Sequence, residues 1–231
     1  MKTLLRKAWL LALLLAVAFI LTACGGAGGG QQGSGSGDGE QGKTEKTAGM
    51  MARMDHDQMG HGEMGMGSES MSRQMVMENG KYSDRRFIDA MVPHHQGAIE
   101  MANVALKNAE HEEIKQLSRN IVSTQQAEIE ELKSIKKEEF GTPNVPMEMS
   151  PSQMRSMGMV DPQELAHSDP FDKAFINAMI PHHQSAIEMA KVAHEKSKIP
   201  EIKELANNIV SAQQKEIEQM RQWRKEWYPE G

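Results

Sequence analysis

Apolar side chains recur along this chain every three or four residues, in segments separated by short polar breaks. Such spacing places them on one face of an α-helix, because successive helical residues are turned by about 100°. In the first repeated unit, one such face runs from Phe87 to Leu106 and another from Ile114 to Leu132. No stretch alternates with period two for long enough to indicate a strand. The pattern therefore predicts an all-α fold.

Two parts of the chain are copies of one another. Residues 87–102 and 175–190 are identical at 13 of 16 positions, and the same shift of 88 residues aligns the segment that follows each of them. Each copy predicts a helical hairpin, the first over residues 81–140 and the second over residues 169–231, with a Met- and Pro-rich linker at 141–168. A single hairpin cannot bury its apolar stripe, so we expect both to close into an antiparallel four-helix bundle.

The start of the chain has the features of an export signal. Three cationic residues precede an apolar run over residues 8–21, which ends in Leu-Thr-Ala-Cys. That tetrapeptide resembles the bacterial lipobox, which implies a signal peptide over residues 1–23 and lipidation of Cys24. We therefore expect an exported protein, lipid-anchored to the cell envelope at the periplasmic or outer cell surface; the alternative is an uncleaved membrane anchor. Residues 24–80 predict a flexible tether, rich first in Gly and Ser and then in Met and His.

The composition removes several classes of function. A formal net charge of -6 argues against nucleic-acid binding, which needs a basic face to contact phosphates. Cys24 is the single Cys, so an intramolecular disulfide or a Cys-cluster metal site is excluded. The chain nevertheless has 20 Met among 231 residues, an unusually large number that needs an explanation.

On a helical wheel, the His-His pair of each copy falls within the apolar face. Burying an imidazole without a partner costs about 1–3 kcal/mol, so these rings require either hydrogen-bonding partners or a metal ion, and the sequence leaves both open. The candidate metal ligands are Met91, His94, His95, Met101, Met179, His182, His183, Met189, Asp84 and Asp172. The candidate hydrogen-bonding partners of the rings, on the second helix of each copy, are Gln125, Gln213, Glu128 and Glu216.

Methionine is also concentrated outside the predicted helices. Residues 50–77 carry nine Met and two His, and residues 147–159 carry five more Met. Thioethers are soft ligands that suit Cu(I), and imidazole suits copper as well. The residues of the tether that we expect to capture copper are Met54, His56, Met59, His61, Met64 and Met66. The alternative is compositional drift or a Met-rich interaction surface.

The repeated segment Phe-Ile-x-Ala-Met-x-Pro-His-His-Gln-x-Ala-Ile-Glu-Met-Ala is followed on the next helix by Gln-x-x-Glu-Ile. This combination resembles the bacterial domain-of-unknown-function family 305, over about residues 81–228. The resemblance implies a ferritin-like four-helix bundle in an exported protein, and it implies an association with copper, which some members bind or resist. It implies no agreed catalytic role.

These observations together favour a binding protein over an enzyme. The hypothesis is a lipoprotein that captures or buffers copper or silver ions outside the cytoplasm, with the membrane as one partner and copper-delivery proteins as possible others. Two alternatives stay open: a ferritin-like metal-dependent oxidase, which would need an open coordination position, and a metal-free interaction or structural module.

Overall fold

A computed structural model describes residues 71–230 of the protein. The predicted signal peptide, Cys24 and the copper-capturing residues of the tether between positions 54 and 66 lie outside this part. The helices that follow residue 83 are α1 (Asp84–Asn108), α2 (Glu112–Phe140), α3 (Pro151–Ser156), α4 (Pro162–Ala166), α5 (Phe171–Lys196) and α6 (Pro200–Trp227).

The four long helices form the predicted bundle. Helix α1 packs along α2, and α5 packs along α6, so that each copy of the repeat is one hairpin. The two hairpins meet mainly through α1 and α5, and their apolar faces form the core, with Phe87 and Phe175 fully buried at corresponding positions. This confirms the all-α four-helix bundle. No helix between residues 71 and 230 is long and apolar enough to cross a membrane.

The helix ends follow from local chemistry. Ser83 caps α1, because its hydroxyl oxygen accepts a hydrogen bond from the backbone N–H of Arg86. Pro200 begins α6, at a position where an N–H would have no partner inside the helix. Both α1 and α5 continue through an internal proline, at Pro93 and Pro181, immediately before the His pairs.

The segment before the bundle is more ordered than the sequence predicts. Residues 71–75 are helical, and β1 (Met77–Glu78) pairs antiparallel with β2 (Lys81–Tyr82) through a turn in which Asn79 and Gly80 have positive φ. Val76 is fully buried against the bundle. Residues 71–80, assigned above to the flexible tether, therefore pack on the folded domain. Strands of two residues are too short to show period-two alternation, which is why the sequence did not reveal them.

The linker is tied to the first hairpin by a buried lysine. The side chain of Lys136 is 1% exposed, and its ammonium group donates to the carboxylate of Asp89 and, over 2.5 Å, to the backbone carbonyl of Asn144. An ammonium group removed from water requires such partners. The contact to Asn144 therefore holds the start of the linker against α1 and α2.

The linker contains two short capped helices and one deeply buried residue. Ser150 and Gln153 form a capping box at the start of α3, and Asp161 caps α4. Between these helices Met157 is fully buried in the core. Gly158 follows with a φ of +68° and packs directly on the backbone of His182. The linker therefore closes over the bundle at the level of the His pairs.

Candidate metal centre

Four buried imidazoles lie in the middle of the bundle. His94 and His95 come from α1, His182 and His183 come from α5, and all four are 0% exposed. The rings of His94 and His182 meet across the bundle, with 3.8 Å between their centroids. Within each pair the centroids are 6.2 Å apart. The duplicated motif therefore brings its two copies together at the histidines.

Hydrogen bonding determines which nitrogen of His94 carries the proton. Its Nε2 lies 3.1 Å from the backbone carbonyl oxygen of His182 and 2.7 Å from the hydroxyl oxygen of Ser185. A carbonyl oxygen can only accept, so we assign the proton of the neutral ring to Nε2. The other nitrogen, Nδ1, then holds a lone pair, and it has no hydrogen-bond partner in the described part of the protein.

The outer histidine of each pair contacts a carboxylate from the second helix of its own hairpin. Nε2 of His183 lies 2.6 Å from Glu216, and Nε2 of His95 lies 2.8 Å from Glu128, although the latter contact lacks hydrogen-bond alignment. The sequence predicted both glutamates as partners of the rings. When a neutral ring donates from Nε2 to a carboxylate, its Nδ1 holds the lone pair, as in metal sites where the distal nitrogen of a ligating histidine is held by an acceptor.

Many polar atoms of this cluster are buried without a partner among the described residues. They are Nδ1 of all four histidines, Nε2 of His95 and of His182, the side-chain oxygen of Gln125, and the oxygen and nitrogen of the Gln213 amide. The two glutamines, predicted to bond the rings, form no such bond through these atoms. At about 1–3 kcal/mol for each unsatisfied group, the penalty is comparable with the whole stability of a domain, about 5–15 kcal/mol. The cluster therefore fits a site that receives further ligands.

Burial keeps the two central imidazoles neutral. Loss of hydration lowers the pKa of His94 well below its usual value, and the neighbouring His95 lowers it further. The pKa of His182 is lowered well below its usual value for the same reason, first by burial and then by His94. Neutral imidazole is the form that binds metal ions, so the environment holds both rings in the ligating state at neutral pH.

Thioethers are buried on the same helices. Met91 and Met179 are fully buried, each one helical turn before its His pair. Met101 and Met189 are buried about two turns beyond the pairs, and Met101 also lines a cavity beneath the linker. No three His, Cys, Asp or Glu residues between positions 71 and 230 are grouped as a metal site. The buried thioethers on these helices are the further soft ligands that this core offers beside the imidazoles.

The structure does not bring the two predicted aspartates to the imidazoles. Asp84 accepts a hydrogen bond from the hydroxyl of Tyr82, and Asp172 accepts from the backbone and the ring of His111, which joins the two hairpins. Each aspartate is ten residues before the first histidine of its pair, which is about 15 Å along a helix axis. A shared helix face therefore places these carboxylates in line with the rings, but not within reach of them.

Ser185 is a site residue that the sequence analysis missed. Besides contacting His94, its hydroxyl oxygen lies 2.8 Å from the backbone carbonyl oxygen of His182 and 3.0 Å from that of Met157, and so connects the linker to the His cluster. The signal was present in the repeat, since position 97 in the first copy is Gly where the second copy has Ser185. The first copy therefore cannot offer His182 the hydroxyl that His94 receives, and neither ring nitrogen of His182 has a well-aligned hydrogen-bond partner among the described residues.

Fold and site together define a class of protein. Its members are bundles of two duplicated helical hairpins, with imidazoles and thioethers in the buried centre. The chain belongs to the family described as domain of unknown function DUF305, whose model matches residues 34–136 and again residues 84–224. Among curated proteins, it is 49% identical over 49 residues to "Uncharacterized protein L153" of Acanthamoeba polyphaga mimivirus. That match covers 21% of this chain and 32% of the viral protein, so the chain spans about a third of that relative.

Solved structures of similar proteins share this fold. CopM in its Cu(I)-bound form is 41% identical, with a TM-score of 0.58, and the match covers 64% of this chain and 99% of CopM. The Cu(II)-bound form is 44% identical over the same shares, with a TM-score of 0.60. A DUF305 fragment from Deinococcus radiodurans is 26% identical, with a TM-score of 0.53, covering 60% of this chain and 92% of the fragment.

Proposed function

We propose that this protein binds copper in its bundle and captures or buffers copper ions outside the cytoplasm. The observation that carries the proposal is the state of the buried rings. Acceptors contact Nε2 of His94 and His183, and Nδ1 of all four histidines has no hydrogen-bond partner among the described residues. Imidazole nitrogens without a hydrogen-bond partner, in the same core as buried thioethers, are a donor set for Cu(I), and imidazole also serves Cu(II).

The chemistry of the cluster favours a soft ion over a hard one. The two carboxylates beside the rings contact imidazole nitrogens, and Asp84 and Asp172 are engaged with Tyr82 and His111. Hard cations require several oxygen ligands, which this core does not assemble among the described residues. The solved structures of CopM with Cu(I), Cu(II) and silver support the same choice of ions for this chain.

The test is anaerobic titration of the full chain with Cu(I) against a colorimetric Cu(I) chelator. We compare the unaltered protein with a variant carrying His94→Ala, His95→Ala, His182→Ala and His183→Ala. The variant should lose at least one equivalent of tightly bound Cu(I), because the imidazole ligands are gone. A control carrying His167→Gln and His194→Gln, two exposed histidines, should bind as the unaltered protein does.

X-ray absorption keeps this test informative if the fourfold variant folds poorly. The unaltered protein at one equivalent of Cu(I) should show both nitrogen and sulfur scatterers around the ion. A sulfur-only shell, or equal uptake by the folded fourfold variant, would remove the buried histidines from copper binding. Catalytic consumption of oxygen with Cu(I) in excess would instead assign the protein to the oxidases.

Attachment to the membrane through Cys24 is the second part of the proposal. The protein expressed with its own first 23 residues should incorporate radiolabelled fatty acid and sediment with membranes. Cys24→Ala should abolish the label, because the sulfur that accepts the lipid is absent. Label that persists in this variant, or unaltered protein found only in the cytoplasm, would contradict the anchor.

A further inference from the structure

Five methionines line one cavity of about 550 Å³ between helix α1 and the linker. They come from four separate parts of the chain: helix α1, the extended stretch before α3, helix α3, and the turn after it. The five are Met101, Met147, Met149, Met154 and Met159. The cavity is therefore assembled by tertiary structure, and its methionines are not merely neighbours in sequence.

Packing alone does not account for Met147 and Met154, whereas Met149 and Met159 also pack partly on the core and Met101 is buried in it. Met147 and Met154 are 48% and 38% exposed, so their side chains gain little from removal from water. Met157, in the same part of the linker, behaves differently, because it is fully buried in the core and does not line the cavity. The linker thus uses one methionine as a core residue and presents four others to the cavity.

The floor of the cavity is built to hold Met159 close to helix α1. A Cβ atom on Gly97 would lie 2.6 Å from the terminal methyl of Met159, so the thioether lies against bare backbone. On the other side, Gly158 packs on the backbone of His182 and fixes where Met159 begins. The capping box of Ser150 and Gln153 sets the start of α3, which carries Met154. The backbone segments that carry Met154 and Met159 are thereby fixed.

The charge of the lining favours a monovalent cation. Glu100 and Asp161 contribute two negative charges and Arg155 one positive charge, which leaves a net charge of -1 beside the thioethers. Two separate carboxylates are too few to form an oxygen cage for a hard divalent ion. Thioether sulfur prefers soft ions such as Cu(I).

We propose that this cavity is a second metal site, accessible to solvent and distinct from the buried imidazoles, which binds a soft monovalent cation, Cu(I) or Ag(I), through methionine sulfur. Met149, Met154 and Met159 form its ligand set, with Met101 and Met147 beside them. The proposal rests on the proposed function only for the choice of ion. No proton or electron is transferred, because a thioether binds a metal ion without deprotonation.

The experiment uses Ag(I) as a redox-inert probe, in chloride-free buffer, with the full chain labelled with ¹³C at the methionine methyl groups. Resonances of Met149, Met154 and Met159 should shift together and saturate. A variant carrying Met149→Leu, Met154→Leu and Met159→Leu should bind one Ag(I) fewer by native mass spectrometry. Leucine preserves side-chain volume, so the fold should tolerate these changes.

A control carrying Met77→Leu and Met220→Leu, outside the cavity, should keep the full number of ions. If the three methyl resonances do not move while other methionines saturate, or if the triple variant binds the unaltered number of ions, the cavity is not a metal site. The fourfold histidine variant separates the two proposals. Loss of Cu(I) in that variant, with no effect of the triple variant, would overturn the cavity site alone. Loss of an ion in the triple variant, with no loss of Cu(I) in the fourfold variant, would overturn copper binding by the buried rings and leave the cavity site in place.

Discussion

Gly158→Ala should lower the free energy of unfolding by about 3 kcal/mol, because two separate penalties add at this position. The residue has a φ of +68°, where an L side chain costs about 1–2 kcal/mol. A Cβ atom there would also lie 2.6 Å from the backbone N and 2.8 Å from the Cα of His182. Backbone in the middle of helix α5 cannot move aside cheaply, and an overlap of this kind costs about 1–3 kcal/mol.

The substitution should also disturb the site. The linker can relieve the overlap only by moving away from α5, which breaks the hydrogen bond from Ser185 to the carbonyl of Met157. We therefore expect the Cu(I) affinity of the bundle to fall together with its stability. Urea denaturation of the metal-free full chain measures the first effect, and competition with a chelator measures the second.

The chain offers a matched control for Gly158. Gly141, at the end of α2, has a φ of +75°, but a Cβ atom there would meet nothing within 4 Å. Gly141→Ala should therefore cost only the backbone strain, about 1–2 kcal/mol. Equal destabilisation by the two substitutions would show that the linker does not lie on His182 in solution.

Acid should destabilise the metal-free protein as the pH falls below about 6.5. Burial lowers the pKa of His94 and of His182 well below 6.5, the usual value that each regains on unfolding. Below pH 6.5 the unfolded chain therefore binds protons on these rings while the folded protein does not, and unfolding is favoured. Each ring lowers the free energy of unfolding by at most about 1.4 kcal/mol for every pH unit below 6.5, until the pH reaches the lowered pKa of that ring in the folded protein. Above pH 6.5 both rings are neutral in the folded and the unfolded protein, so this destabilisation disappears.

Denaturant titrations at several pH values check this dependence. Replacing both rings, by His94→Gln with His182→Gln, should flatten the pH dependence of stability below pH 6.5, because two titrating groups are removed. Replacing the exposed His167 with Gln should leave it unchanged. The same slope in the double variant as in the unaltered protein would mean that the central imidazoles accept protons while folded.

The two copies of the repeat make the positions of the histidines predictable from the sequence, but not the contacts of the residues that differ between the copies. Their identity at 13 of 16 positions predicts that the histidines occupy equivalent places. Two of the three differences fall where the structure is asymmetric: Asp89 pairs with Lys136, and Ser185 contacts His94. The differences were visible in the sequence. Their partners were not, because Lys136 is 47 residues from Asp89 and His94 is 91 residues from Ser185.

The sequence by itself determined the four long helices, the two hairpins, their closure into a bundle and the burial of the His pairs. These properties follow from periodicity and duplication, which are local in the chain. Only the tertiary structure decided that residues 71–80 pack on the bundle, that His94 meets His182, that Asp84 and Asp172 serve other partners, and that methionines converge beneath the linker. Each of these depends on distances between segments far apart in the chain, which a helical wheel does not contain.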